Sequence, residues 1–389
     1  MKESLEIKNV GPLKDVYIDD IKPLTVFIGE SACGKSTLMK VLIFMRYVYK
    51  MLNIRWYLKN SGIQRSPFKL SLDALLHDEL RMYLMRDKNA YVKYTVSVEG
   101  RDYSIEFKNK KLDVASIHDI PNGDLVFFKE SWVSESRNVI PVWSSKSAAN
   151  SSYKKAELGF YFHETLYDFE KATDALDNIN LDYLGMKMTV SRQGGKKKYY
   201  VVPNDGSYDK IELKYASSGV QTSASLVTLV NYFSKSFSFK DAGKRSILGY
   251  LYEQDRLSSY RPEIEISDMK RFVHIHVEEP ELSLFPAAQC QMIDDIVKCA
   301  IEEKAMDRQI HILLATHSPY IINYLNVLLY QNKDNRAKVS EDKLAVYRIY
   351  EGKLQNLMTR NMRGEAIVDT SDLTEQMRSI MQEYKALKQ

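Results

Sequence analysis

Cysteine is scarce in this 389-residue chain: Cys33, Cys290 and Cys299 are the only three. Their spacing forms neither a metal knuckle nor a disulfide framework, which suits a reducing compartment. No apolar run reaches the roughly eighteen residues of a membrane span. The opening residues Met1 to Lys8 alternate like a strand and lack the apolar core of a signal peptide. A cytoplasmic protein with no membrane contact is therefore expected. Charge of one sign is also modest. A net charge of +4 is too small for a protein that coats nucleic acid, although it permits a local basic patch. Sustained heptads and internal repeats are missing. What remains is 44% apolar, enough for two or three domains or one large α/β domain with insertions.

The pattern of strands and helices is regular. Leu24 to Ile28 reads as a buried strand, followed by a glycine-bounded loop, Gly29-Glu30-Ser31-Ala32-Cys33-Gly34-Lys35-Ser36-Thr37, and a helix reaching about Tyr57. Helix is expected again over 70–86, a hairpin over 91–108, a strand over 124–128, loop over 134–155 and helix over 157–184. A second hairpin follows over 186–203, then a strand at 211–215 and a helix at 223–233. Residues 234–271 read as an insertion. Buried strands at 272–277 and 309–315 alternate with helices at 286–306 and 320–329. A closing hairpin (343–357) and a helix (374–387) complete the chain. Hydrophobic strands alternating with helices argue for a largely parallel sheet covered on both faces.

The loop at 29–37 has the form G-x-x-x-x-G-K-[ST] in its required context, strand before and helix after. Glycines bring backbone N–H groups close to phosphate oxygens, and the helix start adds its positive dipole end. Lys35 suits the β- and γ-phosphates, and the Ser36 hydroxyl suits Mg2+. Glu278 and Glu279 close the 272–277 strand, where open α/β sheets bind ligands. One carboxylate can hold Mg2+, assigned to Glu278, and its neighbour Glu279 can polarise the attacking water. Thr316-His317-Ser318-Pro319 follows the next buried strand, so His317 can face the γ-phosphate or that water. Ser217-Ser218-Gly219 precedes a helix and is either an anion site or an ordinary N-cap.

Taken in order, these four stretches resemble the ABC-class ATPase head, in the soluble branch of SMC-like, RecF-like and OLD-type ATPases and AAA-type proteins of bacterial defence modules. The resemblance implies an α/β P-loop NTPase with a mixed sheet flanked by helices and an inserted helical and hairpin lid. Its core would comprise 1–57 and 211–389, with 58–210 as the inserted lid or arm. It further implies Mg2+-dependent ATP hydrolysis, catalysed by Lys35, Glu279 and His317. ATP would bind at Gly29 through Thr37, and Ser36 and Glu278 would hold the metal. Ser217, Ser218 and Gly219 would face the γ-phosphate held by a second copy, giving a head-to-tail dimer or a higher even oligomer. Glu278 stands where Asp is usual, and no glutamine-loop residue is assigned, since Gln64 lies too early. The stretch after His317 is too short for a nuclease domain, so an effector such as a nuclease is expected on a separate chain. The alternative is a DNA-binding ATPase of repair or maintenance. For that reading the Lys196–Lys198 hairpin with Arg192 offers a DNA contact, or else a solvated turn.

Overall fold

The strands follow the alternation of the sequence. The structure, a computed structural model, describes residues 1–63, 72, 76, 78–144, 159–193, 196–253, 256–332 and 336–387. In chain order, β1 (Lys2–Val10), β2 (Leu13–Ile18) and β3 (Leu24–Ile28) precede a helix at Lys35–Asn60. After a helix at Asp78–Arg86 come β4 (Tyr91–Val98), β5 (Arg101–Lys108), β6 (Lys111–Asp113) and β7 (Val126–Val133). A helix at Phe160–Ala175 leads to β8 (Asn178–Leu181), β9 (Met186–Gln193), β10 (Lys196–Pro203) and β11 (Ile211–Glu212). Helices Ser218–Asn231 and Phe239–Glu253 precede β12 (Lys270–Glu278), which is followed by helix Pro286–Val297, β13 (Gln309–Thr316) and helix Pro319–Tyr330. The chain closes with β14 (Leu344–Tyr350), β15 (Lys353–Asn356), β16 (Met358–Arg360), β17 (Ala366–Val368) and helix Glu375–Ala386.

One eleven-stranded sheet runs β6-β5-β4-β1-β2-β15-β14-β3-β13-β12-β7. Its β14-β3-β13-β12-β7 portion is parallel, while β1, β2, β4, β5 and β6 pair antiparallel. The sheet is thus mixed, where strand–helix alternation alone suggests a largely parallel one. Both arms meet the Lys35–Asn60 helix. Tyr49 packs its ring against Tyr94 of β4, Tyr103 of β5 and Phe128 of β7. A helix covered on all sides must be apolar all round, and Leu38 to Met45 is, apart from Lys40. One polar cluster is buried in this layer: Arg46 clamps Glu3 on β1, and Glu130 on β7 contacts His274 and His276 on β12.

The stretch 58–210 divides between two places. Strands β4 to β7 extend the main sheet. Strands β8 to β10, with β11 at 211–212, form a separate four-stranded sheet, on which Phe169 of the Phe160–Ala175 helix packs against Tyr199. Short strand β8 falls in a stretch whose apolar spacing suggests helix. The 234–271 segment contains the Phe239–Glu253 helix. The predicted helix over 70–86 and the turn at Gly194-Gly195 lie partly or wholly outside the described residues. Among the described residues no helix is long and apolar enough to cross a membrane.

Candidate active site

Strand β3 is buried throughout and ends at Ile28. At Gly29 the backbone passes so close to β14 that a Cβ would lie 2.6 Å from the Ile349 carbonyl oxygen. Gly34 has φ of +111°, and a Cβ there would meet Leu13 at 2.6 Å. Both positions need glycine for these reasons. Ala32, at φ 62°, holds strain at the loop apex. The helix that follows has no side-chain cap, so its first N–H groups are presented to the loop as an anion cradle. Lys35 is buried, and its Nζ donates to the carbonyls of Gly29 at 2.8 Å and Glu30 at 2.9 Å. Burial lowers its pKa below the usual lysine value, partly offset by Cys33.

Ser31, Ala32, Gly34, Lys35, Ser36, Thr37, Glu278, Glu279 and His317 line one cavity of about 490 Å3. Gly29, Glu30 and Cys33 build the loop without lining that cavity, and Ser217, Ser218 and Gly219 stand outside it. Pro12, Lys40, Tyr83, Glu135 and Ala315 line it as well. Burial, and then the facing Glu135 carboxylate, push the Glu278 carboxyl up to about 8. Glu135 is held to about 2 by its contact with Glu278, and it accepts from Ser134 Oγ at 2.9 Å. Two carboxylates and the Ser36 hydroxyl are the hard oxygen donors that Mg2+ takes. Glu135 was hidden from sequence reasoning in a polar stretch with no motif. Its only signal is its place just beyond β7, which runs parallel beside β12.

Glu279 sits at φ 44°. That backbone is over-determined by its neighbours, as a strained functional position requires. Its N–H donates to the Ala315 carbonyl at 2.8 Å. Fully buried Arg137 donates to the carbonyls of Glu278 at 2.7 Å and Glu279 at 2.6 Å. Burial pushes the Arg137 guanidinium down to about 10, against the pull of the surrounding glutamates. Glu281 ties the second loop to the first: it accepts from Thr316 Oγ1 at 2.8 Å and from the His317 N–H at 2.7 Å. His317 Nε2 then stands 3.8 Å from Glu279 Oε1. That is too long for a hydrogen bond and short enough for a shared water.

The Ser218–Asn231 helix also begins without a side-chain cap, and Ser217 and Ser218 are exposed. Gly219 lies against the 282–285 turn, where a Cβ would be 2.6 Å from the Ser283 carbonyl oxygen. Thr222 Oγ1 donates to the Leu282 carbonyl at 3.1 Å. Tyr215 (75% exposed) and Phe285 (78%) lie on these two segments. At the second hairpin two of the cations, Arg192 and Lys197, are used within the chain. Arg192 binds Asp177 and the Thr173 carbonyl, and Lys197 donates to the Glu170 carbonyl at 2.6 Å and pairs with Asp174 at 2.7 Å.

Among solved structures the chain is similar to the SMC head domain from Thermotoga maritima, at 12% identity over 93% of this chain and 100% of that one, with a TM-score of 0.37. It is similar at 12% identity to the recombination mediator protein RecF in its ATP form, over 92% of this chain and 98% of that one, with a TM-score of 0.37. No curated protein matches. The profile of the AAA ATPase domain matches residues 1–122 and 144–322, most of the chain and every residue lining the cavity except Glu135. With a phosphate loop, two acidic residues and a histidine gathered in one cavity, the chain belongs to the AAA ATPase domain family of ATP-hydrolysing P-loop enzymes.

Proposed function

We propose that this ATPase is Mg2+-dependent, closes as a head-to-tail pair around two ATP molecules, and uses that closure to control a separate effector, such as a nuclease, in bacterial antiphage defence. One observation carries the dimer. The cavity holds the P-loop, Glu279 and His317, while the uncapped start of the Ser218–Asn231 helix lies outside it with Ser217 and Ser218 exposed. A second copy can supply that helix start to the γ-phosphate, and exposed Tyr215 and Phe285 then gain a partner surface.

In this reading Lys35 and the loop N–H groups orient the phosphates. Ser36, Glu278 and Glu135 would hold Mg2+, which would supply neutralising charge to the phosphate oxygens. Glu279 Oε1 accepts a proton from the attacking water, and His317 Nε2 holds that water or a γ-oxygen in line. The strain at Glu279 and the Arg137 clamp keep its carboxylate at the cavity wall. The test is turnover against protein concentration. If two chains build each site, ATPase activity per chain rises with concentration until pairing saturates. Activity per chain that stays constant across the dilution series contradicts the pairing.

A further inference from the structure

Away from the cavity, between the sheet and the Lys35–Asn60 helix, a group of buried polar side chains has donors and acceptors that do not match. His274 on β12 and His311 on β13 are direct cross-strand partners. Glu3 reaches them from β1, and one ligand atom from each of the three lies within 4.8 Å of the others. All three are at least nine-tenths buried. His274 Nδ1 is 2.6 Å from Glu130 Oε1, so Glu130 fixes the tautomer with the proton on Nδ1. Neutral His274 therefore aims the lone pair of Nε2 at Glu3 Oε2, 3.9 Å away. His311 Nδ1 stands 3.7 Å from the same oxygen. Neither distance is a hydrogen bond, and both nitrogens are buried without a partner.

We propose that Glu3, His274 and His311 form a buried structural site for a transition-metal dication of the zinc class. Two imidazoles and a carboxylate are a donor set zinc takes, and tetrahedral bonds of about 2.1 Å place ligand atoms about 3.4 Å apart. The observed 3.7 and 3.9 Å need a contraction of only a few tenths of an ångström. Glu130 behind His274 is the carboxylate that metal-binding histidines use to set their orientation. Glu3 Oε2 also accepts from Arg46 at 2.7 Å, which occupies one of its two lone pairs, and Tyr94 donates to Oε1. Bound there, the ion joins β1 of the antiparallel arm to β12 and β13, the two strands that end in Glu278 and Thr316.

The test is metal content of the full-length protein made in zinc-supplemented medium and passed through a weak chelator, measured by mass spectrometry. About one zinc per chain is expected, and Co2+ substitution should give the visible bands of a tetrahedral nitrogen–oxygen site. His311→Gln should lose the metal, and Glu130→Gln should weaken its binding by about 10–100-fold. Should a variant fail to fold, wild-type protein refolded with zinc should melt at a higher temperature than protein refolded with chelator. Wild-type protein without zinc whose melting is indifferent to zinc overturns the proposal. Zinc retained at full occupancy in a folded His311→Gln variant overturns it as well.

Discussion

Two helices of this molecule begin alike and end up in different company. The Lys35–Asn60 and Ser218–Asn231 helices both start after small residues and both lack a side-chain cap. By contrast the Pro319–Tyr330 helix starts in the ordinary way, with Ser318 Oγ accepting from the Ile321 N–H at 3.3 Å. An uncapped start leaves N–H groups for an anion. At Lys35 the surroundings supply everything else: an ammonium, two facing carboxylates, Glu279 and His317 in one cavity. At Ser218 they supply only exposure and a firm backing, Gly219 seated on the Ser283 carbonyl. The comparison teaches that one helix start has the other phosphate-site groups around it, and that the other, on the proposed pairing, is brought to such a site by a second copy.

Substitutions that separate the two starts give the largest effects. Lys35→Ala should weaken ATP binding by about 10²–10³-fold, since charge-assisted contacts to two phosphates are lost; titration calorimetry reads this directly. Glu279→Gln should leave ATP affinity near wild type and slow turnover by about 10²–10⁴-fold, the range for a positioned base. Ser218→Arg should behave unlike Lys35→Ala, with ATP binding by the single chain retained and turnover lost. If Ser218→Arg instead abolishes binding, the second helix start belongs to the same chain's site and the comparison fails. A smaller effect is expected for Glu281→Gln, about tenfold in turnover with unchanged ATP affinity, because it positions His317 from behind.

The smallest effect concerns stability and pH. Glu278 has a folded-state pKa of about 8, raised above its ordinary carboxylate value by burial and by Glu135. A group raised in this way stabilises the fold while protonated, and the benefit is lost as pH rises through about 8. Glu278→Gln keeps the shape and removes the titration. It should therefore melt higher than wild type above pH 8, by on the order of 1 kcal/mol, with little difference at pH 5. Equal shifts at both pH values would show that the carboxylate is not under this strain.

Much of the site was legible in the sequence because its parts are local. A P-loop, a strand ending in two glutamates and a strand ending in Thr316-His317 each announce themselves within ten residues. What was not legible depends on pairing between distant segments. Glu135 and Arg137 have no motif of their own. Glu135 reaches the cavity, and Arg137 the carbonyls of Glu278 and Glu279, only because β7 pairs with β12, register Val133 to Val277, across more than a hundred residues. The same holds for β4 to β6. Their alternation marks a hairpin, but nothing local says that Glu3 to Lys8 of β1 will pair with β4 and draw the hairpin into the main sheet. Glu281 stood in plain view beside Glu279, yet its bonds to Thr316 and His317 require both strand ends side by side.

The central claim is that each chain carries half of two sites, and Glu279→Gln tests it most directly. With ATP and Mg2+, sedimentation of this variant should show a stable dimer, and with Lys35→Ala added the dimer should disappear. A Glu279→Gln protein with the same mass in solution with and without ATP, while still binding the nucleotide, would contradict the account.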